Sequence, residues 1–161
     1  MHDRSDRPVD WIEDFVQRHE NKVYRTAIAI MGNKADAEDV MQDVFLKVIE
    51  GKAPRFQSFE HETAWLTRVT VNQCRSRLRS NWWKKNEPLL DIYPAQDNEQ
   101  QDLLEIVTSL PSKYRIVIYL FYYEGYSTKE IAEITKQKEP TVRSILARAR
   151  HKLKDFLEGE I

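Results

Sequence analysis

Ser127-Thr128-Lys129-Glu130-Ile131-Ala132-Glu133-Ile134, then Lys136-Gln137-Lys138-Glu139, then Pro140-Thr141-Val142-Arg143-Ser144-Ile145-Leu146-Ala147-Arg148-Ala149-Arg150-His151-Lys152-Leu153 is the stretch that decides the fold. Ser127 and Glu130 have capping-box spacing, in which a hydroxyl and a carboxylate satisfy two orphan N–H groups at a helix start. The helix they open carries Ile131, Ala132 and Ile134 and stops near Thr135. Four polar residues follow. Pro140 then stands where a second helix begins, a place that suits proline because its missing N–H would have no partner there. In that second helix Val142, Ile145, Leu146, Ala149, Leu153, Phe156 and Leu157 fall within one arc. At ~100° per residue the opposite side holds Pro140, Arg143, Ser144, Ala147, Arg148 and His151. A short helix, a brief turn and a long helix with a basic outer face is the pattern of a helix-turn-helix. There the first helix braces the second, and the second presents outward side chains to base edges in the DNA major groove.

Upstream, the periodicity is again helical. A first helix is predicted from an Asp10-Trp11-Ile12-Glu13 capping box, with Ile12, Phe15, Val16, Val23, Ala27 and Ile30 on one face and Gly32-Asn33 as its stop. A second runs from about Ala35 to Glu50. Its stripe is Ala37, Val40, Met41, Val44, Phe45, Val48 and Ile49, and Gly51 and Pro54 end it. Phe56-Gln57-Ser58-Phe59 reads as a loop, and a third helix spans about Glu62 to Trp83. Lys84 to Gln101, with Pro88 and Pro94 and little periodicity, reads as a linker. A helix near Asp102 to Leu110 follows. The apolar run from Arg115 to Tyr123 is read as a buried helix closed by Gly125. The fold class is therefore all-α: two small helical domains joined by a linker, the second containing the helix-turn-helix. The expected boundaries are 1–84, 85–101 and 102–161.

The chain has 161 residues, 41% hydrophobic and 32% charged, with only four Gly and six Pro. That share of apolar residues is enough for a core, and it argues against both disorder and turn-rich all-β folds. The longest apolar run, Ile116 to Tyr123, is far short of the ~20 residues that span a bilayer. The polar N-terminus has no apolar segment of signal type, and one cysteine, Cys74, makes no intrachain disulfide. A cytoplasmic protein is expected. Charge is segregated behind a formal net charge of −1. Thr63 to Asn86 carries six bases and no acid, and Pro140 to Lys154 carries five bases and no acid. Glu87 to Glu105 carries six acids and no base, and Asp36 to Glu50 has five acids against Lys47. Two basic patches and an acidic face follow.

The residues that complete the reading are these. Ser127 to Ile134, Pro140 to Ser144 and Ala147 to Leu153 resemble region 4 of a bacterial sigma factor, and Leu110-Pro111-Ser112-Lys113-Tyr114-Arg115 with Tyr122-Tyr123-Glu124-Gly125-Tyr126-Ser127 resembles the entry to it. Asp36-Ala37-Glu38-Asp39-Val40-Met41-Gln42-Asp43-Val44-Phe45-Leu46-Lys47 resembles the region 2 helix that docks on core RNA polymerase. Phe59, Thr63 to Val69 and Val71-Asn72 resemble the adjoining promoter-melting segment. The resemblance covers roughly Val9 to Leu157, with regions 2 and 4 only, the pattern of the extracytoplasmic-function (ECF) group. The chain departs from the family's pattern at Lys136, where the turn usually has Gly, and at Gln137, Asp43 and Pro140.

The resemblance implies a transcription initiation factor that directs core RNA polymerase to promoters, without enzymatic activity, metal or cofactor of its own. It implies three sets of residues. Asp39, Gln42, Asp43, Leu46 and Lys47 would be the exposed polymerase-binding members, with Val40, Val44 and Val48 in the core. Phe56, Ser58, Phe59, Trp65, Arg68, Asn72, Arg75 and Arg79 would serve the −10 element. In that set the loop Phe56 to Thr63 encloses a splayed base, Asn72 hydrogen-bonds beside it and the arginines hold phosphates. Phe59 and Trp65 read equally well as core, and Trp82 and Trp83 as linker packing or DNA contacts. Thr141, Arg143, Ser144, Ala147 and Arg148 would read the −35 element as duplex, with Arg150, Lys152 and Lys154 as phosphate contacts or solubilising charge. The implied partners are core RNA polymerase, promoter DNA as duplex and as melted single strand, and a cognate anti-sigma factor, with no membrane insertion. Two other classes stay open. One is a helix-turn-helix regulator that binds an operator alone, which has no need of the acidic helix Asp36 to Glu50. The other is a sigma-like protein that docks on partners without initiating transcription.

Overall fold

The computed structural model describes residues 9–84 and 109–157. The expected linker 85–101 and nearly all of the expected helix at 102–110 lie outside these residues, as do the side chains of Trp82, Trp83, Phe156 and Leu157. Every element among the described residues is helical. They are α1 (Val9–Met31), α2 (Lys34–Ile49), α3 (Phe59–Lys84), α4 (Ser112–Ile118), α5 (Thr128–Thr135) and α6 (Glu139–Leu157). A π-helical turn, Tyr119–Tyr123, continues α4.

Local chemistry sets the boundaries. Gly32, at φ 80°, turns the chain out of α1, and the Asn33 side chain accepts from the Asp36 N–H to open α2. Asp10 lies inside α1, not ahead of it, so the expected capping box there is not the helix start. Helix α3 begins at Phe59, three residues before the expected Glu62. The Ser58 hydroxyl accepts from the His61 N–H, and Glu60 and Glu62 place negative charge in the first turn, where the helix dipole favours it. The supposed loop from Phe56 to Thr63 is therefore mostly helix. The run Arg115 to Tyr123 is helical as expected, and it ends where Gly125 takes φ 75°.

Helices α1, α2 and α3 pack on one another, and α6 packs on α4 and α5. Phe15, Ala27, Ile30, Val40, Val44, Leu66, Val71 and Cys74 fill the first bundle; Val117, Leu120, Ile131, Val142 and Ala149 are buried in the second. Burial pushes the Cys74 thiol upward, so it is a neutral filler, not a nucleophile. The two bundles also touch, α1 against α4 and α3 against α5. The contact is polar at its centre. Arg115, buried in α4, donates from Nε to the Ile30 carbonyl of α1 at 2.9 Å and from Nη1 to Leu110 O at 3.1 Å. Burial lowers its pKa to about 10, still cationic at neutral pH. Tyr119 lies 3.1 Å from the Thr26 hydroxyl and donates to Glu124, which also meets Lys22 at 3.1 Å.

The capping box is formed in full: Ser127 accepts from Glu130 N–H and Glu130 from Ser127 N–H. Helix α5 ends at Lys136, which adopts φ 56°, ψ 42°, the left-handed conformation that usually takes Gly. The Lys136 and Gln137 N–H groups both close on the Ala132 carbonyl. The turn geometry is thus that of a glycine turn, held by a residue with a β-carbon. A side chain there costs about 1–2 kcal/mol, partly offset because Gly also loosens the unfolded chain. Lys136→Gly is expected to raise the urea midpoint by the equivalent of about 1 kcal/mol with an unchanged m value. A less stable Gly variant would mean that the turn is held by Lys136 contacts and not merely tolerated.

Candidate nucleic-acid interface

The outward face of α6 is built by its buried one. Val142, Ile145, Leu146 and Ala149 face inward, while Thr141, Arg143, Ser144, Ala147 and Arg148 are all exposed along the other side. The expected set is therefore one continuous surface beginning in the first turn of the helix. Glu139 fixes that turn: it accepts from Thr128 Oγ1 of α5 at 3.1 Å and from Arg143 at 3.0 Å. The Arg143 pair is exposed and spaced i,i+4, so it costs little to break. Arg150 is already engaged. Its Nε donates to Tyr122 at 2.6 Å and its guanidinium lies over the Phe121 and Tyr122 rings. That contact braces α6 against the π-turn, a role charge counting does not reveal.

The promoter-melting set divides. Phe59, Ser58, Arg68 and Arg79 are exposed, Phe59 at 63%. Phe56 and Trp65 are partly buried against the core; Phe56 stacks on Phe15 at 5.9 Å and meets Trp65 edge-on at 5.6 Å. For Trp65 this is the core reading that the sequence left open; for Phe59 the same reading fails, since its ring is exposed, and Phe56, expected as a −10 contact, is instead rim of the core. Asn72 is half-buried on the same helix. Arg75 is turned to the other bundle and donates to the Thr135 carbonyl at 2.6 Å, at the end of α5. Burial and the neighbouring charge of Arg79 lower its pKa. Arg75, Arg79 and Lys113 line a cleft of about 250 Å³ between the bundles, floored by Leu78, Ile116 and Val117.

On α2, Val40, Val44 and Val48 are buried and Gln42 and Leu46 exposed. Asp39 and Asp43 are half-exposed and already paired. Arg77 of α3 lies across them, 2.6 Å from Asp39, 3.7 Å from Asp43 and 3.6 Å from Asp36, and Gln73 donates to Asp43 at 3.0 Å. The acidic face is thus partly neutralised within the chain. Ile49, expected in the core stripe, is instead 57% exposed, and Leu46 is 50% exposed. Together with Gln42 they form an i, i+4, i+7 row of outward residues that only Gln42 and Leu46 announced in the sequence.

His61 Nδ1 accepts from the Gln57 N–H, and Glu62 is buried against His19. No group of three or more metal-ligating side chains occurs among the described residues, and no helix there is long and apolar enough to cross a membrane.

Residues 15–84 match the Sigma-70 region 2 family model, and residues 100–153 match the Sigma-70, region 4 model. The chain is 33% identical over 160 residues to the ECF RNA polymerase sigma factor SigE of Mycolicibacterium smegmatis, covering 90% of this chain and 61% of that relative. It is 31% identical over 153 residues to the ECF RNA polymerase sigma factor SigM of Mycobacterium tuberculosis, covering 90% and 76%. Its fold is that of two solved chains. One is the sigma factor RpoE in complex with the anti-sigma factor NepR from Bartonella quintana, at TM-score 0.72, 24% identity and 91% and 98% coverage of the two chains. The other is CnrH in complex with the cytosolic domain of CnrY, at TM-score 0.62, 23% identity and 98% and 94% coverage. With two bundles in region 2 and region 4 order and an exposed, partly basic outer face on α6, the chain belongs to the ECF RNA polymerase sigma factors.

Proposed function

We propose that this chain docks on core RNA polymerase through the outward face of α2, opens the −10 element with the start of α3, and reads the −35 element with α6. The observation that carries the reading is the sidedness of α6. Five exposed residues, Arg143 and Arg148 among them, sit on a helix that α5 braces through the Thr128–Glu139 hydrogen bond. Arg143 and Arg148 suit guanine edges, and Thr141, Ser144 and Ala147 are small enough to let the helix approach them. On α3, Arg68 and Arg79 suit phosphates and Phe59 suits a splayed base, since stacking on an aromatic offsets the cost of unpairing. On α2, Gln42, Leu46 and Ile49 form the contact row, with Asp39, Asp43 and Lys47 at its edge. An anti-sigma factor is a further expected partner, a reading supported by the NepR and CnrY complexes of the two structural neighbours.

Reading both elements requires the bundles to part. Elements named −10 and −35 lie about 25 base pairs apart, or ~85 Å of duplex. A compact chain of this length has a radius of gyration of about 15 Å. Arg75, one of the expected −10 residues, is meanwhile held by the end of α5. The chain between Lys84 and Ser109, drawn out fully, reaches about 80 Å, which accommodates the separation.

Two measurements test the division of labour. Gln42→Lys with Leu46→Glu leaves the Arg77 network intact and is expected to weaken core polymerase binding at least tenfold, a hot-spot-sized loss. Arg143→Ala and Arg148→Ala are expected to lower −35-dependent initiation ~5- to 100-fold each, the range of a lost bidentate base contact, with polymerase binding unchanged. Tight binding of the chain alone to duplex DNA, with none to core polymerase, would favour the free-standing regulator.

A further inference from the structure

The most exposed large apolar residue among those described, Phe59, does not stand alone. Its ring stacks on the imidazole of His19, with centroids 5.8 Å apart and planes inclined by 20°. His19 is only 2% exposed, and Phe15 touches its ring at 4.8 Å. The imidazole Nε2 meets the carboxylate of Glu62, which is 7% exposed and also lies 3.2 Å from Arg18. Glu62 sits three residues after Phe59, one turn along the same helix. The same His19 therefore supports the Phe59 ring from α1 and grips its helical turn through Glu62.

A stability role alone explains this poorly. Well-packed apolar side chains usually serve a buried position at least as well as a charged or hydrogen-bonded pair. What the polar pair adds is direction: a hydrogen bond fixes the imidazole plane, and the imidazole plane fixes the ring lying on it. A lone exposed phenylalanine samples several rotamers, and ordering it costs free energy when a partner binds. One whose ring already lies on a fixed surface is spared that cost.

We propose that His19 and Glu62 are positioning residues that hold Phe59 as a preformed stacking surface for an unpaired base of the melted −10 strand. The inference rests on the region 2 reading above and names what makes that site rigid. Neither residue touches DNA; both act through Phe59.

The test uses the full chain assembled with core polymerase. A promoter is first selected by the wild-type holoenzyme from a random duplex pool. The probe is the single-stranded non-template oligonucleotide of its −10 segment, with 2-aminopurine placed in turn at each position. Phe59→Ala is expected to weaken probe binding ~5- to 100-fold, the range for loss of one stacked base, and to abolish the quenching at one position. Glu62→Gln and His19→Ala are expected to weaken binding several-fold at that same position, with core polymerase affinity and −35 duplex binding unchanged. The deciding measurement is the double variant: in a Phe59→Ala background, His19→Ala should cause no further loss. Additive losses, or losses that extend to polymerase binding, would show that His19 acts through general stability and would overturn the proposal. If His19→Ala fails to fold, Glu62→Gln, which keeps the shape of the pair, carries the same cycle. A holoenzyme that initiates normally with Phe59→Ala would overturn the stacking surface itself. Failure of the wild-type chain to form any holoenzyme would instead overturn the region 2 reading.

Discussion

The last carbonyls of a helix have no partner within it, and they carry the negative end of the helix dipole. In this chain two such ends are closed by arginines from the opposite bundle. Arg115 of α4 donates to Ile30 O in the final turn of α1, and Arg75 of α3 donates to Thr135 O, the last residue of α5. The exchange is reciprocal, and it ties the two bundles together beside the apolar residues they share in one buried cluster. Arg115 also meets the Leu110 carbonyl, where the chain enters the second bundle. Removing it would leave two carbonyls short of a partner, a cost of about 1–3 kcal/mol for each buried group. Hydrogen bonds to helix ends are specific in register and exchangeable for water, which would suit the separation proposed above.

Much of this was legible in one dimension. The α2 stripe placed Val40, Val44 and Val48 in the core, and the Ser127–Glu130 spacing placed the start of α5. The apolar periodicity of α6 placed its outward face, because an amphipathic helix with one buried side leaves little choice about the other. Other features were not legible, for identifiable reasons. Ile49 fits the stripe by arithmetic, but it is the last residue of α2, where the chain turns away at Gly51 and no neighbouring helix covers it. The start of α3 lies three residues before the expected Glu62 because Ser58, inside the expected loop, caps the helix. Lys136 departs from the family's usual Gly, yet the backbone keeps the left-handed conformation that Gly would take. The role of Arg115 depends on which carbonyl lies opposite, and no local pattern encodes that. A lone cation inside the apolar run Tyr114 to Leu120 was the one available signal.

Several of the basic side chains are engaged within the chain. Arg77 spreads across Asp36, Asp39 and Asp43, Arg75 reaches Thr135, and Arg150 is pinned to Tyr122. Counting bases along the sequence therefore overstates how many are available to phosphate. Arg68, Arg79, Arg143 and Arg148 remain outward on α3 and α6. On promoter DNA the released Arg75 would join them. The proposed separation of the bundles would thus change both the geometry and the electrostatics of the surface offered to DNA.

The most direct test of this account is the distance between the bundles. Glu20→Cys on α1 and Glu133→Cys on α5 are exposed positions for a dye pair, and the native Cys74 is buried and will not label. The account predicts strong energy transfer in the free chain. It predicts loss of that transfer when the labelled chain, assembled with core polymerase, occupies a promoter, as the separation grows toward the ~85 Å between the two elements. Unchanged strong transfer in a complex that initiates transcription would contradict it.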